Sequence, residues 1–162
     1  MSLPDVIHWL THTPVNSVVM DYRWVWPISE SLHFCGLVMM VGTVGLFDLR
    51  LLGLAKGIAP AALHWSLRVG VAGFAISVIT GSLFIFGQPD QYFYNDAFKL
   101  KVVALTLLGI NVLAFYSLEA RRVRKLGPED EAPLRAKWIA AISLSLLTLI
   151  MLFGRMLTFF RP

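Results

Sequence analysis

The chain has 162 residues, 57% of them hydrophobic and only 15% charged, with a net charge of +4. Soluble domains are about 45–50% apolar, and a body this small has too little interior to hide the surplus from water. An ordinary soluble domain is therefore excluded. So is a nucleic-acid surface, because the basic residues form no stripe interleaved with aromatics.

The first predicted element is a short helix over 4–12, starting at Pro4 and broken at Thr13-Pro14. Residues 15–26 then place Val15, Val18, Val19, Tyr22 and Trp26 at mostly helical spacing, the pattern of a segment lying in the membrane surface. This N-terminal stretch lacks a basic leader and carries Pro4, Asp5, His8 and His12, so it is not expected to act as a signal peptide.

Four stretches then lack any Asp, Glu, Lys or Arg: 31–47, 69–89, 102–118 and 138–154, each 17 to 21 residues long. At about 1.5 Å per residue, roughly 20 residues cross the hydrocarbon core. With their flanks the runs predict helices near 28–53, 64–87, 98–121 and 137–160. They are continuous and do not alternate with period two, which argues against a barrel. The expected fold is an all-α four-transmembrane-helix bundle, with 1–26 an amphipathic surface segment and 27–162 the membrane domain. Trp24, Trp26, Trp65, Tyr92, Tyr94 and Trp138 mark the interfaces, where a ring can lie in apolar surroundings with its polar tip wet.

Lys and Arg placement gives the orientation. The first and third connections with their flanks hold Arg50, Lys56, Arg68, Arg121, Arg122, Arg124, Lys125, Arg135 and Lys137, nine in all. The other side holds five: Arg23, Lys99, Lys101, Arg155 and Arg161. The positive-inside rule puts the connections with nine in the cytoplasm and both termini outside, in the periplasm if the membrane is a bacterial inner membrane.

Candidate chemistry is sparse, and no catalytic group can be assigned. The single cysteine, Cys35, lies in an apolar run and has no intrachain partner. Glu30 and His33 are three apart and share a helical face. A Glu-x-x-His pair is also a unit of di-iron bundles, but no second copy exists. No Met-x-x-Met or Cys-x-x-Cys supports copper either. His33, about 10 Å from the midplane by helical rise, can instead ligate haem, with Glu30 fixing its other nitrogen. Met156, His8 or His12 could complete the iron, and Arg155 and Lys99 could pair with propionates. The bland alternative is that His33 hydrogen-bonds to Glu30 or a backbone carbonyl and holds helices together.

His64 should lie at the opposite face, roughly 20 Å or more from His33, so the two cannot clasp one haem. Asp48 and Arg68 are expected at similar depth as an interhelical ion pair beside Arg50. Asn111, central in the third span, is expected to hydrogen-bond across a helix interface, with glycines allowing close approach.

The run from Glu30-Ser-Leu-His33 through Gly42 to Asp48-Leu-Arg50-Leu-Leu-Gly53, then Thr80-Gly81 and Asn95-Asp-Ala-Phe98-Lys99 to Asn111, resembles a group of bacterial four-span inner-membrane proteins. These are known only as a domain of unknown function. The resemblance covers most of 24–118 and implies membrane location and four helices, with no activity attached. More distantly the architecture is similar to four-helix b-type cytochromes and the copper-resistance D family, in which helix-borne histidines can hold haem. The third and fourth spans here carry no histidine, so the likeness implies at most one haem b.

These readings give an expected electron-transfer module, working between quinone and a periplasmic redox protein. The alternative is a non-catalytic subunit or scaffold that docks a periplasmic or membrane partner through 4–26 and its glycine faces. A site with one ligand per chain could also be completed in a homo-oligomer. A solute transporter ranks last, since no span is broken at mid-membrane.

Overall fold

A computed structural model describes residues 2–159, with eight helices and no strand among them. The N-terminal segment forms α1 (Leu3–Thr11) and α2 (Pro14–Asp21). Pro14 suits the first turn of a helix, where a missing N–H is not needed, and the Thr13 hydroxyl caps α2 by accepting the Asn16 amide at 3.2 Å. Both helices turn one face onto the bundle: Ile7, Leu10 and Val19 are buried, whereas Trp9, Val15, Val18 and Tyr22 stay exposed. Asn16 fixes the dock by donating to the carbonyl of Phe86 at 2.7 Å.

The four long apolar helices are α3 (Val25–Leu51), α4 (Pro60–Gly87), α6 (Asp96–Leu118) and α8 (Leu134–Met156). Short turns α5 (Pro89–Phe93) and α7 (Ala120–Val123) follow the second and third of these. Each long helix agrees with a predicted span, displaced by a few residues. Local chemistry explains the boundaries. Pro60 and Pro133 stand at helix starts, Gly53 ends the first span with a left-handed φ of 89°, and Asn95 opens the third by accepting the Ala97 amide at 2.9 Å. The predicted end of the fourth span at 160, and Arg161, lie outside the described residues.

In space the helices run α4, α3, α8, α6: α3 packs along α4 and crosses α8, and α6 packs along α8. The α3–α4 crossing is the tightest. A Cβ on Gly36 would lie 2.6 Å from the Gly73 carbonyl oxygen, and a Cβ on Gly73 would lie 2.5 Å from that of Gly36. Only glycine permits backbones this close. One apolar cluster (Met40, Ala104, Leu108, Leu146, Leu147, Ile150) joins α3, α6 and α8. A second, around Phe47, Leu51, Leu63, Phe115 and Val123, closes the end bearing the first and third connections.

Most of the apolar surface nevertheless faces outward. The most apolar window of each span is only 17% (α6) to 33% (α8) buried within the protein. Val38, Val71, Ile79 and Leu113 are each more than 60% exposed. Water would not tolerate so broad an apolar belt on a stable monomer; hydrocarbon does. The chain is a multi-pass integral membrane protein.

Candidate functional site

The end of the bundle that carries the termini holds His33. Its Nδ1 lies 3.0 Å from the Thr80 hydroxyl of α4. Thr80 has one proton, and its oxygen lies 2.7 Å from the Ile76 carbonyl one turn back. With that proton given to the carbonyl, the hydroxyl accepts from Nδ1 of His33, and Nε2 keeps its lone pair in that tautomer. The ring stands edge-on to Phe84, centroids 5.5 Å apart, and passes Gly81, where a Cβ would come within 3.4 Å of Cε1. Phe84 in turn packs on Trp26.

The expected partner, Glu30, is exposed and makes no hydrogen bond to His33. Its charge instead faces Tyr92, whose phenol is pushed up to about 12 by burial and further by the Glu30 carboxylate. Two other expected companions have partners of their own. Lys99 is taken by Asp96 at 2.8 Å on the exposed side of α6, and exposed Arg155 sits over the Phe159 ring. Met156 lies two residues beyond Gly154, about 200° around the helix, so it does not share the face on which Gly154 meets α6.

The cation that does reach His33 is Lys101 of α6, close enough for its charge to act on the ring. Its ammonium end passes Gly154 of α8, where a Cβ would be in ordinary contact, 3.6 Å from Nζ. Among the described residues Lys101 makes no hydrogen bond or ion pair. An imidazole with a free nitrogen and an unneutralised ammonium thus share the terminal half of the bundle. Such a pair can ligate a metal and neutralise an anionic group.

The opposite end is organised by Arg50. Its side chain is 1% exposed. Nε donates to the Ile58 carbonyl at 2.6 Å, and Nη2 to those of Gly127 (3.1 Å), Pro128 (2.7 Å) and Asp130 (3.2 Å). One guanidinium therefore ties the first connection to the third. The expected Asp48–Arg68 ion pair does not form. Asp48 is buried beside Ser143 of α8 with Oδ2 unpartnered, whereas Arg68 is exposed next to His64 and Trp65. Glu119, 1% exposed with Oε2 also unpartnered, is a second buried carboxyl at this end. Asn111 donates to the Ile139 carbonyl at 3.1 Å, crossing from α6 to α8.

Outside this clasp, Glu131 accepts from Lys137 at 2.8 Å and pairs with Lys56 at 3.5 Å. Hydrogen bonding and charge from Lys137, then Lys56, hold its carboxyl below the ordinary 4.5. A folded value that is depressed adds stability above the unfolded value, and the gain is lost as pH falls through the folded one. Thermal unfolding in detergent should therefore separate wild type from Glu131→Gln at neutral pH and bring them together in acid. A gap independent of pH would show that these pairs are not linked to folding.

Lys101 and the carbonyl partners of Arg50 have no distinct signal in the sequence, and Thr80 stands out there only within the Thr80-Gly81 step of the resemblance. A lysine just inside a span, two residues after another lysine, reads as an interface charge. No family model matches the chain, and comparison with curated proteins and with solved structures gives no significant match.

Proposed function

We propose that this membrane protein is an electron-transfer module holding a single haem b near its terminal end through Nε2 of His33. The observation that carries this reading is the 3.0 Å contact between Nδ1 of His33 and the Thr80 hydroxyl, which supports the tautomer that a metal needs. Ligating histidines commonly donate their other N–H to an acceptor in this way, and the acceptor tunes their basicity. Lys101 supplies the nearby positive charge for a propionate, in place of the expected Lys99 and Arg155. Bound haem supplies one-electron chemistry, while the protein orients it and excludes water. Reduced quinone in the bilayer and a redox protein beyond the terminal face are the donor and acceptor in this scheme, with both termini in the periplasm.

The test is a visible spectrum, oxidised and dithionite-reduced, of protein expressed with ample haem and purified in mild detergent, together with iron analysis. A Soret band lost in His33→Ala and retained in His64→Ala is the expected result. Thr80→Val should keep the fold and lower haem retention about tenfold or more. Absence of both the band and iron in the wild type overturns the proposal.

The same hydrogen bond supports a second reading. His33 and Thr80 pin α3 to α4, as they would in a non-catalytic membrane subunit. On that reading His33→Ala lowers stability and changes no spectrum.

A further inference from the structure

A groove of about 390 Å³ opens at the basic end between α4 and α6, on the opposite side of the membrane from His33. His64, Trp65, Arg68, Val71 and Tyr116 line it, and the His64 and Tyr116 rings meet with centroids 5.9 Å apart. Arg68 and Arg124 are both near enough for their charges to act on His64. Neither arginine has a carboxylate partner among the described residues, and both are exposed. The groove changes character with depth. α4 enters the bilayer from this end, so Val71, 68% exposed, lies about one turn deeper than Arg68. Trp65, 67% exposed, stands at the mouth. A cationic mouth above an apolar wall has the chemistry of a phospholipid molecule: phosphate outside, acyl chain beneath.

We propose that this groove binds an anionic phospholipid, its headgroup phosphate held by Arg68 and Arg124 with Tyr116 and His64 as hydrogen-bonding partners, and an acyl chain along Val71. Free phosphate would engage the same cations but leave the apolar wall unused. The site is independent of the haem proposal, since no residue is shared.

Native mass spectrometry of the full chain in detergent tests the assignment, with phosphatidylglycerol, phosphatidylcholine of the same chains, and inorganic phosphate as separate probes. Phosphatidylglycerol is expected to bind about thirtyfold more tightly than phosphatidylcholine, the advantage two interfacial arginines give. Arg68→Gln with Arg124→Gln should erase that preference, and Arg121→Gln with Lys125→Gln, equal in charge but not among the cations that act on His64, should keep it. Val71→Trp, which fills the wall with both arginines in place, should also abolish lipid binding. Equal binding of the two lipids, or equal loss in both charge variants, overturns the proposal. Phosphate binding as tightly as phosphatidylglycerol would assign the groove to the free ion and overturn it as well.

Discussion

Arg50→Met should destabilise the protein by about 3 kcal/mol or more, a large share of a small domain's stability. Methionine keeps the apolar stem and most of the volume, so the loss reads the polar head. That head satisfies carbonyls of Ile58, Gly127, Pro128 and Asp130 in a setting closed to water. Hydrogen bonds to a charged group contribute about 1.5–3 kcal/mol each, and abandoned buried acceptors add a desolvation penalty. The contributions do not sum simply, because the freed connections can reach water. Arg50→Lys should recover less than half, since one ammonium lacks the fork needed to serve carbonyls from two connections. Equilibrium unfolding in mixed micelles measures the loss. Proteolysis within 121–133 should also accelerate more than about tenfold, because cleavage follows the open population. Unchanged cleavage and stability would mean that the clasp is dispensable.

Gly73→Leu is expected to have a comparable effect by a different route. Its Cβ would lie 2.5 Å from the Gly36 carbonyl oxygen and 2.7 Å from Met39 Cβ, and backbone cannot swing aside as a flexible side chain can. Overpacking usually costs about 1–3 kcal/mol; here the helices must also part. Parting them loses the His33–Thr80 bond and the Ser77 hydroxyl's bond to the His33 carbonyl, 3.3 Å long. Gly42→Leu is the control. A Cβ there meets nothing within 4 Å, so the change should stay within about 0.5 kcal/mol. Disulfide trapping between cysteines on α3 and α4, after replacement of Cys35, reports the separation directly. Equal behaviour of the two leucine variants would refute the close crossing.

The four spans were legible because bilayer thickness imposes a length and a composition that nothing else requires of 17 to 21 residues in a row. Their ends follow from proline, glycine and asparagine chemistry at Pro60, Gly53 and Asn95. Side-chain partners were less legible. Asp48 and Arg68 match in depth, but an ion pair also needs matching azimuth, and Asp48 is buried beside Ser143 of α8 while Arg68 is exposed beside His64 and Trp65. Glu30 has the right spacing for His33, yet the hydroxyl of Thr80 on the neighbouring helix reaches Nδ1 instead. Arg50 chose backbone carbonyls, which every residue has and no residue advertises. Lys101 could not be told from Lys99 until the fold turned one inward beside Gly154 and His33 and left the other with Asp96.

The clasp also constrains the order in which the protein can be finished. Ribosomes deliver Arg50 well before the carbonyls of Gly127, Pro128 and Asp130, which follow it by 77, 78 and 80 residues. Until the third connection emerges, the newborn first hairpin carries a guanidinium whose Nε has its Ile58 acceptor but whose Nη2 acceptors have not been made. Maturation of the amino-terminal half thus waits on translation of the carboxy-terminal half, and a product truncated after α4 would display a half-satisfied cation to the cell's quality-control machinery.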